Sequence, residues 1–519
     1  MDSEHAKNHL LEFILSGDRN GANALLDEWT RRHSHRSTIS DVLEPVLTEI
    51  GRRWVSESIS LAAGYLAGKI AEDTLMKAHA HEESVPLTRG PVVLGNVEDD
   101  YHSLGRKLVG IFLRTSGWRI IDLGNDVPAE TFVDEAVKHD ARVIAVSAMM
   151  FTTARNILKI REEIDRRGFK DRIRLAVGGA VFKIRPELVE EVGGTAQRPA
   201  LSAPRNSWIS YGGPPMTITS LDRVLSALQG LKTDRPPFTL TLSLYGAGLT
   251  GCPLPEYYRN PQRYLEGQDA VAGLVDPDIL FAPFALTLEA EAFGSDLVFP
   301  PANPPNVKKP AFRHPEDFKH LPVPDVDRSP GLTYLLESVR LLSGRYKGVK
   351  PVCAVLTAPV DLPALLMGID MWVETLLFHE SLATEILEKT GRHFITMANT
   401  LLAEGADFIA LPVMFTHPSL LYRKIIDETI LPTLHRTFAE IKGPIVFHHG
   451  GNPIGNHLQD YLELPQVGAF ALDHRDSLEK ARAMVGPGRL LLGNLNGPAL
   501  NRMPLDSVLR KVDQILTDR

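Results

Sequence analysis

Over the first 85 residues apolar positions recur every three or four residues, as in HLLEFILSGDRNGANALLDEWTRR and ISDVLEPVLTEIGRRWVSESISLAAGYLAGKIAEDTLMKAHA. That period puts the apolar side chains on one helix face and predicts a bundle of about four helices, with turns at Ser16-Gly17-Asp18 and Ser56-Glu57-Ser58. From residue 91 the pattern changes. Short apolar runs, PVVLGNV, WRIIDLG, RVIAVSAMM and IRLAVGGAVF, alternate with helix-length stretches such as HSLGRKLVGIFLRTSG. Strands alternating with helices predict a parallel, doubly wound sheet whose ligand loops lie at the strand C-termini. The segment 196–219 is rich in Pro, Gly and Ser, lacks a period and reads as a linker. Seven further runs follow: FTLTLSLYG, DILFAPFAL, PVCAVLTAP, DFIALPVMF, PIVFHHGG, GAFALD and RLLLGNLNG. Spread over about 300 residues, they suit a closed (β/α)8 barrel better than an open sheet. The expected architecture is α/β: a helical-bundle cap over residues 1–88, a Rossmann-like domain over 89–195, the linker 196–219 and a TIM barrel over 220–519.

Length agrees with this division, since 519 residues exceed one core and suggest about three domains. Fifty-six basic residues against 64 acidic ones give a net charge of −8, so no basic field attracts nucleic acid or anionic lipid. The opening MDSEHAKNHLLEF has no basic region leading into an apolar one, so no signal peptide is expected. The longest apolar segment, LPALLMGIDMWVETLLF, is interrupted by Asp370 and Glu374, which argues against a membrane span. The two cysteines, Cys252 and Cys353, exclude a disulfide framework and a cysteine-rich zinc knot. A cytoplasmic protein without nucleic-acid or membrane partners is expected.

The first functional candidate is Asp100-x-His102-x-x-Gly105, placed at the end of the first α/β strand. A histidine there can aim its ring over the sheet edge, and a carboxylate two residues earlier can fix its tautomer and raise its basicity as a ligand. The same loop taken alone also reads as an ordinary solvated histidine. Its surroundings decide between the two. DDYHSLGRKLVG, GWRIIDLGNDVPAETFVDEA, VIAVSAMMFTTARNILKIREEI and LAVGGAVF follow in order through residues 91–195. This stretch resembles the cobalamin-binding domain of corrinoid methyltransferases. The resemblance implies that His102 is the lower axial ligand of cobalt, oriented by Asp100, with Ser103 and Gly105 in the same loop. It also implies that Ser147 and Thr152 line the slot for the displaced nucleotide tail, and that Gly178 and Gly179 leave room for it. Trp54 resembles the cap aromatic of cobalamin photoreceptors. Those carry Glu-His ten and eleven residues on, where this chain has Gly64 and Tyr65.

The last domain resembles the uroporphyrinogen decarboxylase superfamily through EAEAFGSDLVF, VCAVLTAPVDLPALLMGID, LLAEGADFIALPVM, ETILPTLHRTFAEIKGPIVFHHGGN and RLLLGNLNG. Its decarboxylases hold a tetracarboxylate with arginine after the first strand, where this chain has Tyr245-Gly246. Without that bidentate contact decarboxylation is not expected. The thiol-methylating members bind zinc through His-x-Cys and a later cysteine. His448 matches, but Gly450 stands at the cysteine position and no cysteine follows. A standard zinc site is therefore absent, and an alternative of His448 and His449 with Asp473 or His474 would need a bulge, since neighbours on a strand face opposite ways.

The reading that follows is a cobalamin-dependent methyltransferase of the demethylating type. The cofactor is cobalamin, as methylcobalamin or adenosylcobalamin. The substrate is a small O-, N- or S-methyl compound, with His448 as general acid and Tyr245 and Asp473 beside it. Met414, His417 and Asn494 stand at other strand ends, and Asp407 and Asn494 have a structural reading of equal weight. Partners implied are a small-molecule methyl donor or acceptor, a second methyltransferase or reductive activase, and a second copy of the chain as homodimer. Two competing readings are a cobalamin-based, light-responsive sensor, motivated by Trp54, and a porphyrinogen decarboxylase.

Overall fold

In a computed structural model, the structure describes residues 2–55, 58–80, 88–179, 181–182, 187–194, 218–320, 322–486, 489–493, 495 and 503–517. The linker 196–219 lies outside these residues except for its last two, and so does Asn494. Two compact units emerge. The first comprises Met1–Pro199 with Gly368–Phe378 and Pro418–Arg423, and the second comprises the rest.

The first unit begins with the expected bundle: Ser3–Ser16, Arg19–Arg32, Glu44–Val55 (entered through a π turn, Thr38–Leu43) and Leu61–Ala80. Ala6, Leu10 and Ile14 recur at four-residue spacing and are fully buried on one face of the first helix. Asp2 and Asp18 cap the first two helices by accepting the His5 and Gly21 N–H groups.

Four parallel strands follow: β1 (Arg89–Asn96), β2 (Trp118–Asp122), β3 (Val143–Ser147) and β4 (Arg174–Gly178), in spatial order β2-β1-β3-β4. Phe132 and Val133 from helix Ala129–Lys138, and Ile160 and Ile164 from helix Ile157–Arg166, share a core with Val93, Ile144, Val146 and Leu175. On the Leu94 face, helix Ser103–Thr115 comes close enough that a Cβ on Gly110 would lie 3.2 Å from Leu94 Cδ2. The same helix meets Leu61–Ala80 where Gly68 gives way to Leu108. The register matters for function. Asn96 is level with Ser147, and Ser147 with Gly178, so these three residues form one row at the C-terminal sheet edge.

The second unit holds a parallel sheet of β5 (Leu280–Phe281), β8 (Val352–Val355), β9 (Phe408–Pro412), β10 (Ile445–His448), β11 (Val467–Ala471) and β12 (Leu490–Leu492), with a small hairpin of β6 (Asp296–Val298) and β7 (Asn306–Lys309) beside it. The main sheet runs β12-β11-β10-β9-β8-β5, in chain order. Monotonic order is the sense of a TIM-type barrel, whereas doubly wound sheets reverse at a switch point. β8 and β9 are buried at every position, as expected of strands covered on both faces.

One expected strand is corrected. FTLTLSLYG forms no regular ladder, and Tyr245 opens a helix, Tyr245–Thr250. Two consecutive prolines, Pro236 and Pro237, remove backbone donors at its entry. The buried carboxylate of Asp278 takes the place of a ladder partner by accepting the Phe238 N–H at 2.6 Å, and Arg223 and Arg235 bond the same carboxylate. Among the described residues no helix is long and apolar enough to cross a membrane.

Candidate functional site

His102 is the N-cap of helix Ser103–Thr115, so its backbone is held by the turn that leaves β1. Its ring Nδ1 lies 3.1 Å from Asp100 Oδ1. Asp100 is fully buried and saturated with donors: the His102 N–H at 3.0 Å, the Met149 N–H at 2.7 Å, Thr153 Oγ1 at 2.8 Å and Asn96 Nδ2 at 3.2 Å. Burial pushes its carboxyl up, but the His102 ring and the N–H donors outweigh that and hold it at about 2. An ionised Asp100 accepts a proton-bearing Nδ1, which leaves the Nε2 lone pair free. The side chain is 32% exposed, so the ring is only partly covered by the protein.

The surrounding row fits a bulky ligand. A Cβ on Gly178 would meet nothing within 4 Å, and one on Gly105 would reach only Ser147 Oγ at 3.9 Å. Gly179 has a different reason to be glycine. Its φ is +119°, and a Cβ would fall 1.9 Å from the Ala148 carbonyl oxygen, so its own backbone forbids a side chain. Thr152 sits in the first turn of helix Phe151–Ala154. Thr153, the next residue, reaches the loop through its hydroxyl bond to Asp100. Ser103 Oγ is turned away, donating to Asp370 at 2.6 Å. Trp54 is half-buried in the last turn of Glu44–Val55. Tyr65, at the position of the photoreceptor histidine, is buried and donates its hydroxyl to Glu374 at 2.5 Å.

Two residues that sequence reasoning missed tie this loop together. Asn96 also donates to the His102 carbonyl at 3.0 Å, and Arg106 Nε donates to Asn96 Oδ1 at 2.9 Å while its guanidinium pairs with Asp122. The available signals were a polar residue ending an apolar strand and an arginine one turn after the histidine.

In the second unit His448 is the last residue of β10. Its Nδ1 accepts the Gly450 N–H at 3.1 Å, which puts the neutral ring's proton on Nε2. Burial lowers its pKa to about 4, so it is uncharged at neutral pH. Burial along β10 alternates, and His449 is buried with Phe447, 5.5 Å between ring centroids, rather than with half-buried His448. Both nitrogens of His449 lack a hydrogen-bond partner, and its ring meets those of His417 at 4.3 Å and Tyr461 at 4.9 Å. The two adjacent histidines therefore do not converge. Among the described residues no group of three His, Cys, Asp or Glu side chains is gathered to hold a metal ion.

Gly450 has φ +52°, and a Cβ there would lie 2.2 Å from Met414 Cγ. Met414 thus occupies the space a side chain at 450 would need. Asp473 accepts from Arg475 Nε at 2.6 Å, and Arg475 Nη2 donates to the Gly451 carbonyl at 2.7 Å, which braces the loop after β10. Tyr245 lies on another element, half exposed at the start of its helix. His417 Nε2 lies 3.0 Å from the Pro453 carbonyl oxygen, and Asp407 accepts the Val352 N–H at 2.7 Å, a structural contact below the sheet's functional edge.

Comparison with known proteins follows this division. Residues 219–519 match the uroporphyrinogen decarboxylase (URO-D) family model. Residues 90–199 and 6–75 match two B12 binding domain models. Trimethylamine corrinoid protein 1 of Methanosarcina acetivorans is 36% identical over 138 residues, 26% of this chain and 63% of that protein. Dimethylamine corrinoid protein 2 of Methanosarcina mazei is 32% identical over 135 residues, 26% of this chain and 61% of that protein. The chain thus spans less than two thirds of these relatives' length. A solved methyltransferase from Methanosarcina mazei shares the fold over 58% of this chain and 90% of its own, with a TM-score of 0.54 at 22% identity. The cofactor of the first unit is accordingly cobalamin. The partly exposed His102 ring, held through Nδ1 by Asp100, and the open row at Gly105 and Gly178 fit it.

Proposed function

From a chain that belongs to the uroporphyrinogen decarboxylase family over residues 219–519 and carries B12 binding domains ahead of it, we propose a cobalamin-dependent methyltransferase acting on a small O-, N- or S-methyl compound. The observation that carries this reading is the Asp100–His102 pair, a buried carboxylate holding Nδ1 of a partly exposed imidazole. When bound, cobalamin supplies a cobalt centre that exchanges the methyl group. His102 Nε2 would ligate the cobalt, and Asp100 would keep the ring in the ligating tautomer. Gly105, Ser147 and Gly178 would border the nucleotide tail.

In the barrel, His448 would serve as a neutral donor. Its Nε2–H would hydrogen-bond the heteroatom that loses methyl and so stabilise charge developing there. The pKa of about 4 refines the general-acid role: the imidazolium is scarce at neutral pH, and the neutral ring stays a donor. Met414 fills the room beside Gly450, which disfavours a cysteine-like ligand at that position and supports demethylation without zinc. A sensor reading is less favoured because Tyr65 is engaged by Glu374.

The test is incubation of the full chain with reduced cobalamin and a panel of methoxy, methylamino and methylthio compounds, followed through the cobalt absorbance. Methylation of cobalt by one class is expected. Absence of turnover with every class, together with a light-dependent change of oligomeric state in the adenosylcobalamin form, would replace the enzyme by the sensor.

A further inference from the structure

The two acids that interrupt the longest apolar stretch both have partners in the first compact unit. Asp370 and Glu374 lie four residues apart on helix Ile369–Phe378, hence on one face. Asp370 accepts from Ser103 Oγ at 2.6 Å and from Lys107 Nζ at 2.7 Å, both in the opening turns of the helix that His102 caps. One turn later Glu374 accepts from the Tyr65 hydroxyl at 2.5 Å, and Lys69 Nζ lies 3.7 Å from its other oxygen. Tyr65 and Lys69 belong to Leu61–Ala80. That helix begins on a second segment of the same unit, Pro418–Arg423, where the Ser419 and Leu420 carbonyls accept the Leu61 and Ala62 N–H groups. These are orphan donors that a helix start must place somewhere.

We propose that Asp370 and Glu374 are positioning residues for the cobalamin site: one acidic helix face registers the ligand helix Ser103–Thr115 against the cap helix Leu61–Ala80. The contacts hold whatever His102 binds, but the consequence for the cofactor rests on the reading of His102 as its ligand. Bonds to ionised carboxylates are the strong kind, and Asp370 takes two of them on residues one and five places after His102. Losing them frees the turn that aims Nε2. Losing Glu374 frees the cap helix and removes the acceptor of a buried tyrosine hydroxyl.

The experiment is amide hydrogen exchange of the full chain without cofactor, comparing the parent with D370A/E374A, Tyr65→Phe and Lys107→Met. In the double variant, peptides over 61–69 and 103–109 should exchange roughly tenfold faster, with β9 and β10 peptides unchanged as the control for folding. Tyr65→Phe should loosen 61–69 alone, and Lys107→Met 103–109 alone. If the double variant does not fold, these two single variants carry the test. Unchanged exchange in both peptides of a folded variant overturns the proposal. The same variants titrated with hydroxocobalamin should release it roughly tenfold faster. If His102→Ala leaves the bound spectrum as in the parent, the ligand assignment fails, while the exchange result still decides the role of the acidic face.

Discussion

His102 and His448 are both imidazoles at or after the C-terminal ends of parallel strands, each with a glycine two or three residues on, yet their Nδ1 atoms have opposite kinds of partner. His102 has an ionised carboxylate on Nδ1, and that carboxylate is anchored by the N–H groups and side chains of three further segments. His448 has only a backbone N–H on Nδ1 and is desolvated without a charge partner. The carboxylate makes Nδ1 the protonated nitrogen and leaves a basic lone pair, which suits a metal. The backbone donor makes Nε2 the protonated nitrogen and leaves a hydrogen to give, which suits a substrate heteroatom. What Nδ1 touches decides what Nε2 can do.

Exchanging the losses tests that contrast most severely. His448→Ala, which removes the donor altogether, should cut methyl transfer by roughly 10²–10³-fold while cobalamin titration stays as in the parent. His102→Ala should instead weaken cobalamin binding by more than about a hundredfold, beyond what an outer partner commands, and change the cobalt spectrum. Equal losses of binding in both variants would mean that the two histidines do not have separate roles.

Asp100→Asn comes next. The amide keeps the shape but offers an NH2 where Asp100 only accepts, so one of its donors must lose its partner. Cobalamin affinity should fall by roughly 10–100-fold, with His102 still present. If affinity is unchanged, the carboxylate supports the loop and not the ligand.

The sequence made His102, Asp100 and the strands around them readable because each lies in a local pattern: a run of buried residues, then a polar turn, then a helical period. The row of Asn96, Ser147 and Gly178 follows once the runs are aligned as parallel strands. What was not readable depends on contacts made across the chain. Thr153 bonds Asp100 from fifty-three residues away, a pairing that no period specifies. FTLTLSLYG carries a β-branched pattern, yet Asp278, forty residues away, satisfies its first N–H in place of a strand. Gly179 looks like room for a ligand and proves to be a demand of its own backbone. Asp370 and Glu374 could be read as exceptions to an apolar run, but not paired with Ser103 and Tyr65.

The smallest expected effect concerns stability and isolates the missing carboxylate at His448. A histidine whose folded pKa is about 4 binds its proton less readily than the unfolded chain, where the value is near 6.5. Its contribution is therefore complete above about pH 6.5 and is lost as the pH falls towards 4, because the unfolded state takes up the proton first. At pH 5 this loss amounts to roughly 1–2 kcal/mol, allowing for partial exposure of the ring. His448→Gln removes the titrating group, so its urea midpoint should fall less than the parent's between pH 7 and pH 5. Identical pH slopes for parent and variant would show that the ring is solvated and can charge, and with it the neutral-donor role would give way to an imidazolium acid.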